Sequence, residues 1–392
     1  MQDVTVQGKP YASLAMHIRL QAIRCKPLIV LLLSLLYLGV IGAANRTTWA
    51  QESAAPEANK SAPHIAVLLP TESPAFARAA DAVRRGVLEA YRVQPLTLAV
   101  VIYTTSDDAA QTLKRYQQAL DAQAQLVIGP LTRSAVNALA SSDAVAVPTL
   151  ALNSPDSEVT RDNLYFFGLQ IESDARLMAQ LADDQGHHRA LILTGKGPLT
   201  ARLAQAFAHT WRAQGNSIAR EVAIGNDPAE FAKLREQVNA LNADMVFAAL
   251  EAQPAKLARA YLGPSLPIYA TSLVHTGNDP ISRLDLAGII FADMPWLVAP
   301  DDPAVMTYAR PDLGELSFEL QRFYALGIDA YRIARELLRH QPELSELDGV
   351  TGRITLERNH RVVRTPVAAQ FVQGEVRALS DPSRPSAPAH EQ

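Results

Sequence analysis

The stretch Gln125–Asp156, QLVIGPLTRSAVNALASSDAVAVPTLALNSPD, constrains the fold of this chain more than any other. Leu126–Gly129 is a short apolar run closed by Gly129-Pro130. Thr132–Ser142 carries Val136 and Leu139 on one helical face. Val145–Leu152 is apolar again, rich in β-branched residues, and ends at Asn153-Ser154-Pro155. Two strands separated by one helix must run parallel, and the crossover is almost always right-handed. The loops Pro130–Arg133 and Asn153–Asp156 therefore open at the carboxyl edge of one sheet, where open parallel sheets bind ligands.

The same alternation runs through most of the chain. His64–Leu69 reads as a first strand, Pro74–Arg92 as a helix with Phe76, Ala80, Val83, Val87 and Tyr91 on one face, and Leu96–Tyr103 as a second strand. Ser106 is placed to cap a helix through Leu120. Asn163–Ile171 reads as a connection, and Ser173 as the cap of a helix to Gln185. The series then begins again with strand Arg189–Thr194, helix Leu199–Gln214 and strand Ser217–Ile224. Asp227-Pro228-Ala229-Glu230 is a helix start with a cap, a proline at the first position and a glutamate three residues after the cap. Ala243–Leu250, Leu266–Ala270 and Leu286–Ala292 supply further strands. A long helix is expected over Ser317–Arg339, then strands at Gly352–Leu356, Thr365–Val372 and Val376–Leu379, with turns at Asn359-His360 and Gln373-Gly374.

This order predicts an α/β fold of two doubly wound parallel-sheet lobes joined by a hinge, an architecture of the type I periplasmic-binding-protein kind with a cleft between the lobes. The first lobe is expected from about 64–168 plus 300–345, and the second from about 172–295 plus 355–379. Several crossings between lobes are expected, because the long helix and the last strands follow both sheets and must pack back onto them.

Composition narrows the function classes. In 392 residues, 48% are hydrophobic and 19% charged, the net charge is −4, and the charges alternate in sign without a basic block. That excludes the electrostatic footprint of a nucleic-acid binder. One cysteine, Cys25, leaves no internal disulfide framework and no cysteine-based zinc site. At the N-terminus, Arg19, Arg24 and Lys26 precede an apolar run from Pro27 to Ala44, and Thr48-Trp49-Ala50 is a small-x-small cleavage motif. Residues 1–50 therefore read as a signal peptide, with translation starting at Met1 or Met16, and the protein is expected in the periplasm. An uncleaved membrane anchor is the competing reading. Cys25 precedes the apolar run, so no lipoprotein attachment is expected. Residues 51–63 read as a polar linker and 380–392 as a disordered tail.

No catalytic pattern is present: no G-x-S-x-G, H-E-x-x-H, G-x-x-x-x-G-K-[ST] or G-x-G-x-x-G. Thr194-Gly195-Lys196-Gly197-Pro198 has a phosphate loop's composition but not its spacing. His187-His188, adjacent at a strand start, point to opposite faces and make no metal pair. A non-enzyme without metal or cofactor is expected. Strand ends nominate the cleft residues: Thr71, Glu72, Pro130, Leu131, Thr132, Asn153 and Ser154 in the first lobe, and Thr194, Lys196, Glu251, Thr271 and Ser272 in the second. Their hydroxyls and helix N-termini suit a carboxylate, and Glu251 an ammonium, so a small ligand is one expected partner. Asp293-Met294-Pro295-Trp296 falls where the chain should return between lobes, with Trp296 either an exposed partner anchor or a buried hinge residue.

Several segments carry a family resemblance. IAVLLP at 65–70, VIGPLTRSAV at 127–136, TLALNSPD at 149–156 and FFGLQIESDAR at 166–176 resemble the LpoA (LppC) family of penicillin-binding-protein activators. So do GIIFADMPWLV at 288–298, ALGIDAYRIA at 325–334 and DGVTGRITLERNHRVVR at 348–364. The resemblance implies a regulator without chemistry of its own that binds a bifunctional peptidoglycan synthase, a penicillin-binding protein, and promotes cell-wall synthesis. The architecture alone equally permits a solute-binding component of a transporter for amino-acid-like ligands.

Overall fold

Five short strands build the first lobe's sheet, and their burial explains their order. The structure, a computed structural model, describes residues 62–312, 314–339 and 346–379, which belong to one compact unit. The segments read as signal peptide and C-terminal tail lie outside the described residues, as does all but the end of the polar linker. Strands β1 (His64–Leu69), β2 (Ala99–Thr104), β3 (Ala124–Ile128), β4 (Thr149–Ala151) and β5 (Leu164–Phe166) pair in parallel in the order β2-β1-β3-β4-β5. β1, apolar after His64, is buried at every position between two neighbours, whereas β2 lies at the edge and is only partly covered. Helices α1 (Ala77–Val93), α2 (Ala109–Asp121) and α3 (Arg133–Ala140) connect them.

Three local expectations are corrected here. Leu164–Phe166, read as connection, is the fifth strand; at three residues it is too short to show a period. Val145–Pro148 does not extend β4, and Pro148, lacking an N–H, contributes only its carbonyl, which accepts from Val127. The cap of α2 is Asp108, whose carboxylate accepts from Gln111 N, not Ser106.

The second lobe begins with α4 (Glu172–Asp184), whose cap is Ile171; Ser173 is the helix's second residue, and its hydroxyl donates to Gln170 O at 3.0 Å. Then follow β6 (Arg189–Thr194), α5 (Pro198–Ala213), β7 (Ser217–Ala223), α6 (Pro228–Leu241), β8 (Met245–Ala249), α7 (Ala252–Leu262), β9 (Ile268–Ala270), α8 (Pro280–Leu284) and β10 (Ile290–Asp293). Asp227 caps α6 by accepting from Ala229 N. Glu230 does not close a capping box; its carboxylate accepts from Gly225 N and pairs with Lys196. The sheet runs β7-β6-β8-β9-β10 in parallel and is extended by two strands from the end of the chain.

After β10 the chain re-enters the first lobe through α9 (Pro295–Val298) and α10 (Pro303–Met306), and α11 (Phe318–Leu338) packs into that lobe's core. β11 (Leu347–Asp348), β12 (Arg353–Leu356) and β13 (Val362–Thr365) form a small antiparallel sheet. β14 (Val367–Val372) and β15 (Glu375–Ala378) then add antiparallel strands to the second sheet beside β10. The segment 355–379 expected in the second lobe thus divides at Pro366, because Ile354 and Val362 point into the first lobe's core and Ala369 and Phe371 into the second's. Gln373 and Gly374 close the last hairpin, both at positive φ, as a tight two-residue turn of the primed type requires. The lobes are therefore joined by three crossings, at 167–171, 294–295 and 366.

The closest helix contact in the first lobe is α1 against α11. A Cβ on Gly86 would stand 2.0 Å from Tyr324 O, and one on Gly327 would stand 2.2 Å from Val83 O. Each helix is thus seated against the backbone of the other, which only glycine allows. Gly327→Ala is expected to lower stability by about 1–3 kcal/mol or more through forced separation of the helices. Gly277→Ala, at an open position, is the control. Urea unfolding of both variants checks this, and a Gly327→Ala midpoint equal to wild type defeats it.

Candidate functional site

A cleft of about 410 Å³ opens between the lobes. Leu131, Leu152 and Leu326 line it from the first lobe, together with Phe76 at the start of α1 and Phe323 on α11. Ile171 and Glu172 at the start of α4 and Leu199 and Arg202 on the first turns of α5 line it from the second. Its polar groups are few: Thr132, Arg133, Asn153, Gln170, Glu172 and Arg202. Arg202 is paired with Glu172 at 3.1 Å, and Arg133 with Asp156 at 3.4 Å.

Of the residues nominated from sequence, Leu131, Thr132 and Asn153 line the cleft. The sharp turn that delivers Leu131 and Thr132 needs Gly129 at φ +112, where a Cβ would meet Leu68 O at 2.2 Å. Asn153 spans the turn by donating to Leu131 O at 3.1 Å, and Ser154 accepts from Gln170. Pro130 is buried in the turn, and its carbonyl accepts from Leu152 N. Thr71 keeps its hydroxyl buried, and the exposed Glu72 is taken by Thr104 at 2.9 Å. None of the second lobe's nominees lines the cleft. The Thr194 hydroxyl donates to Gly195 O, Lys196 pairs with Glu230 at 3.0 Å, Glu251 is exposed at the start of α7, and Thr271 and Ser272 are buried. The α4 and α5 first turns face the cleft instead. Leu199 and Arg202 stand three apart on α5, a helical-face signal that strand-end reasoning passes over.

Ser272 belongs to the hinge. Its hydroxyl donates to Asp174 at 2.6 Å and its N–H donates to the same oxygen at 3.1 Å. Arg364, on β13, reaches Asp174 at 3.5 Å and also donates to Gln170 O and Thr351 O. Asp293, at the end of β10, lies at the second focus. Arg322 of α11 grips it with both guanidinium nitrogens, one at 2.8 Å, and donates to His275 O at 3.0 Å. His275 completes the set with Nδ1 at 2.8 Å from Asp293. Arg283 can only donate and lies 3.0 Å from His275 Nε2, so Nε2 accepts and Nδ1–H donates to Asp293. Burial pushes the imidazole pKa down against the pull of Asp293, consistent with a neutral ring. Burial alone would raise the Asp293 carboxyl, but the Arg322 charge and the His275 hydrogen bond outweigh it and hold its pKa at about 2. At Asp174 burial prevails over Arg364 and Ser272 and pushes the pKa up to about 6.

The remaining motif residues are also structural. Asp329 on α11, fully buried, accepts from Val350 N, Thr351 N and the Thr351 hydroxyl, clasping the loop before β12. Met294 and Trp296 are buried in the first lobe's core; the indole donates to Gln321 at 3.2 Å and lies under Arg310 at 4.7 Å. Pro295 is buried as the first residue of α9. With Trp296 at 0% exposure, the partner-anchor alternative has no surface to offer; the residue is a packing element beside the hinge. Away from both sites, His188 bonds Asn216 and His187 stands edge-on to Tyr269.

Two hinged α/β lobes, three crossings and an interlobe cleft define a protein of the periplasmic-binding-protein type. Comparison with known proteins refines this class. A family model described as "LppC putative lipoprotein" matches residues 57–374, and the chain belongs to that family. The penicillin-binding protein activator LpoA of Edwardsiella piscicida is 28% identical over 326 residues, covering 71% of this chain and 46% of the relative. The chain thus spans about half the length of the curated relatives it matches. Among solved structures, the LpoA (YraM) C-domain from Haemophilus influenzae, a regulator of PBP1A, superposes with a TM-score of 0.69 at 22% identity, covering 81% of this chain and 100% of that one. A "putative branched-chain amino acid ABC transporter" structure from Chromobacterium violaceum has the same TM-score at 37% identity, covering 78% of this chain and 99% of that one.

The hinge carboxylates make a pH prediction. Asp174 titrates near 3.8 when unfolded and at about 6 when folded, so the folded state holds the proton more tightly. Its contribution is fully favourable below about pH 4 and is lost as pH rises through about 6. Asp174→Asn removes this term. The stability of wild type relative to the variant is expected to fall by on the order of 2–3 kcal/mol between about pH 4 and pH 7. Urea unfolding of both proteins across that range tests it; a difference independent of pH contradicts the assignment.

Proposed function

We propose that this protein is a non-enzymatic regulator of the cell envelope that binds a peptidoglycan synthase and raises its peptide-crosslinking activity. The observation that carries the reading is family membership over residues 57–374, with relatives named as activators of penicillin-binding proteins. The site of action is the periplasm, and the partner is a bifunctional penicillin-binding protein. Activation then works by differential affinity. The regulator binds the active synthase conformation more tightly than the inactive one, and each tenfold of activation by population shift requires about 1.4 kcal/mol of that difference. Trp296 is buried, so the contact is assigned to surface outside the Asp293–Trp296 segment.

A second reading, solute binding for a transporter, is favoured by one observation: the 37% identity to the Chromobacterium violaceum structure over nearly its whole length. The two readings separate in a reconstituted assay. The purified protein added to a purified bifunctional synthase is expected to increase crosslinked product and to co-sediment with the enzyme. The absence of both binding and any change in crosslinking rate would reject the activator reading for this chain and leave the transporter reading standing.

A further inference from the structure

We propose that α8 and the cavity beside it form a docking site for a protein segment that presents a carboxylate side chain next to an apolar one. The inference goes beyond the activator reading and stands or falls separately from it. The cavity, about 240 Å³, lies wholly within the second lobe and shares no lining residue with the interlobe cleft. Val274, Leu286 and Phe371 give it apolar walls, and Lys256, Asp279 and Arg283 supply its charges.

Two cations stand there against one carboxylate, and that carboxylate is already committed. Asp279 accepts from Ile281 N at 3.2 Å, from Ser282 N at 3.1 Å and from the Ser282 hydroxyl at 2.6 Å, all within α8. Lys256, half-buried on α7, has no ion pair or hydrogen bond with a described residue. Arg283 gives Nη2 to Asn278 Oδ1 at 2.7 Å and to His275 Nε2 at 3.0 Å, but its Nε is buried with no partner among the described residues. A guanidinium N–H withdrawn from water and left unpaired calls for an acceptor, and the neutral His275 ring adds no charge to the cavity. A carboxylate entering here meets both cations and accepts charge-assisted hydrogen bonds, which are stronger than those of a neutral amide.

The surface around the cavity points to a protein segment, rather than a free anion, as the bearer of that carboxylate. Ile281 is 76% exposed and Leu284 53% exposed, and both stand on the same short helix as Ser282 and Arg283, which line the cavity. Leu284 reaches over the last hairpin, where a Cβ on Gly374 would stand 3.5 Å from its Cδ2. Two large apolar side chains held in water beside a cationic cavity combine the elements of a protein interface, an apolar contact area and a pocket for one anchoring side chain. A free anion would occupy the cavity alone, whereas a segment crossing α8 covers the apolar pair as well.

Titration of the isotope-labelled protein, followed residue by residue by nuclear magnetic resonance, tests the assignment with three probes: acetyl-Leu-Glu-Leu-amide, its glutamine counterpart acetyl-Leu-Gln-Leu-amide, and acetate. The glutamate peptide is expected to shift the amides of Lys256, Ile281 and Arg283 saturably, and the glutamine peptide and acetate to bind about tenfold more weakly, each tenfold being about 1.4 kcal/mol. Lys256→Gln is expected to bring the glutamate peptide down to the level of the glutamine one. Ile281→Ser is expected to weaken both peptides several-fold and to leave acetate unchanged, and neither substitution is expected to move the urea midpoint. Equal affinity for the two peptides, acetate binding as tightly as the glutamate peptide, or no saturable shift at these residues by about 10 mM would each overturn the proposal. So would unchanged affinity for the glutamate peptide in folded Lys256→Gln or folded Ile281→Ser.

Discussion

The ion pair between Arg322 and Asp293 ties the molecule together. Asp293 ends the last parallel strand of one lobe, Arg322 stands on the central helix of the other, and Asp293 itself is 1% exposed. A carboxylate so placed is tolerable only because Arg322, His275 and its neighbour's N–H satisfy it. Removing one partner from such a pair typically costs about 3–5 kcal/mol, because the other charge stays buried. The Arg322 guanidinium also donates to the carbonyl of His275, so one side chain fixes the strand end, the loop that follows β9 and the helix in a single geometry. The other focus, Asp174 with Ser272 and Arg364, repeats the arrangement with Arg364 of β13 as the donor.

The segments that carry the family resemblance divide between the cleft and the hinge: 127–136, 149–156 and 166–176 supply much of the cleft wall, whereas 288–298, 325–334 and 348–364 meet at and beside these two foci. Asp293 and Trp296 come from the Asp-Met-Pro-Trp segment, Asp329 from the helix segment and Val350, Thr351 and Arg364 from the loop and strand after it. Trp296 N donates to Val350 O at 2.9 Å, joining two of those segments directly. Their chemistry is that of a hinge: charges buried and paired, backbone groups satisfied where the chain changes lobe.

Much of the architecture was legible because long apolar strands and capped helices announce themselves. β1 and β6 coincide with their sequence-read limits, and Asp227 caps α6 as its spacing implies. Three-residue β5 was not legible, since its pairing with β4 at the sheet's edge, not periodicity, makes it a strand. In the cleft, Leu131, Thr132 and Asn153 could be placed from strand ends, but the second lobe's wall could not. Thr194 and Lys196 find local partners in Gly195 and Glu230, and the first turns of α4 and α5 take their place. Such local pairing depends on loop geometry that sequence spacing does not encode.

The glycine crossing of α1 and α11 also sets an order of assembly. The backbones at residues 86 and 327 touch, yet the whole of the second lobe's parallel sheet lies between them in the chain. Loop-closure entropy across that interval is compensated only once the intervening segment has condensed. A chain that emerges from its amino end therefore displays α1's apolar stripe, Ala80, Val83, Val87 and Ala90, uncovered until more than two hundred further residues have followed. The first lobe to emerge is the last to close, and during that interval its exposed stripe is the surface that a holding chaperone would recognise.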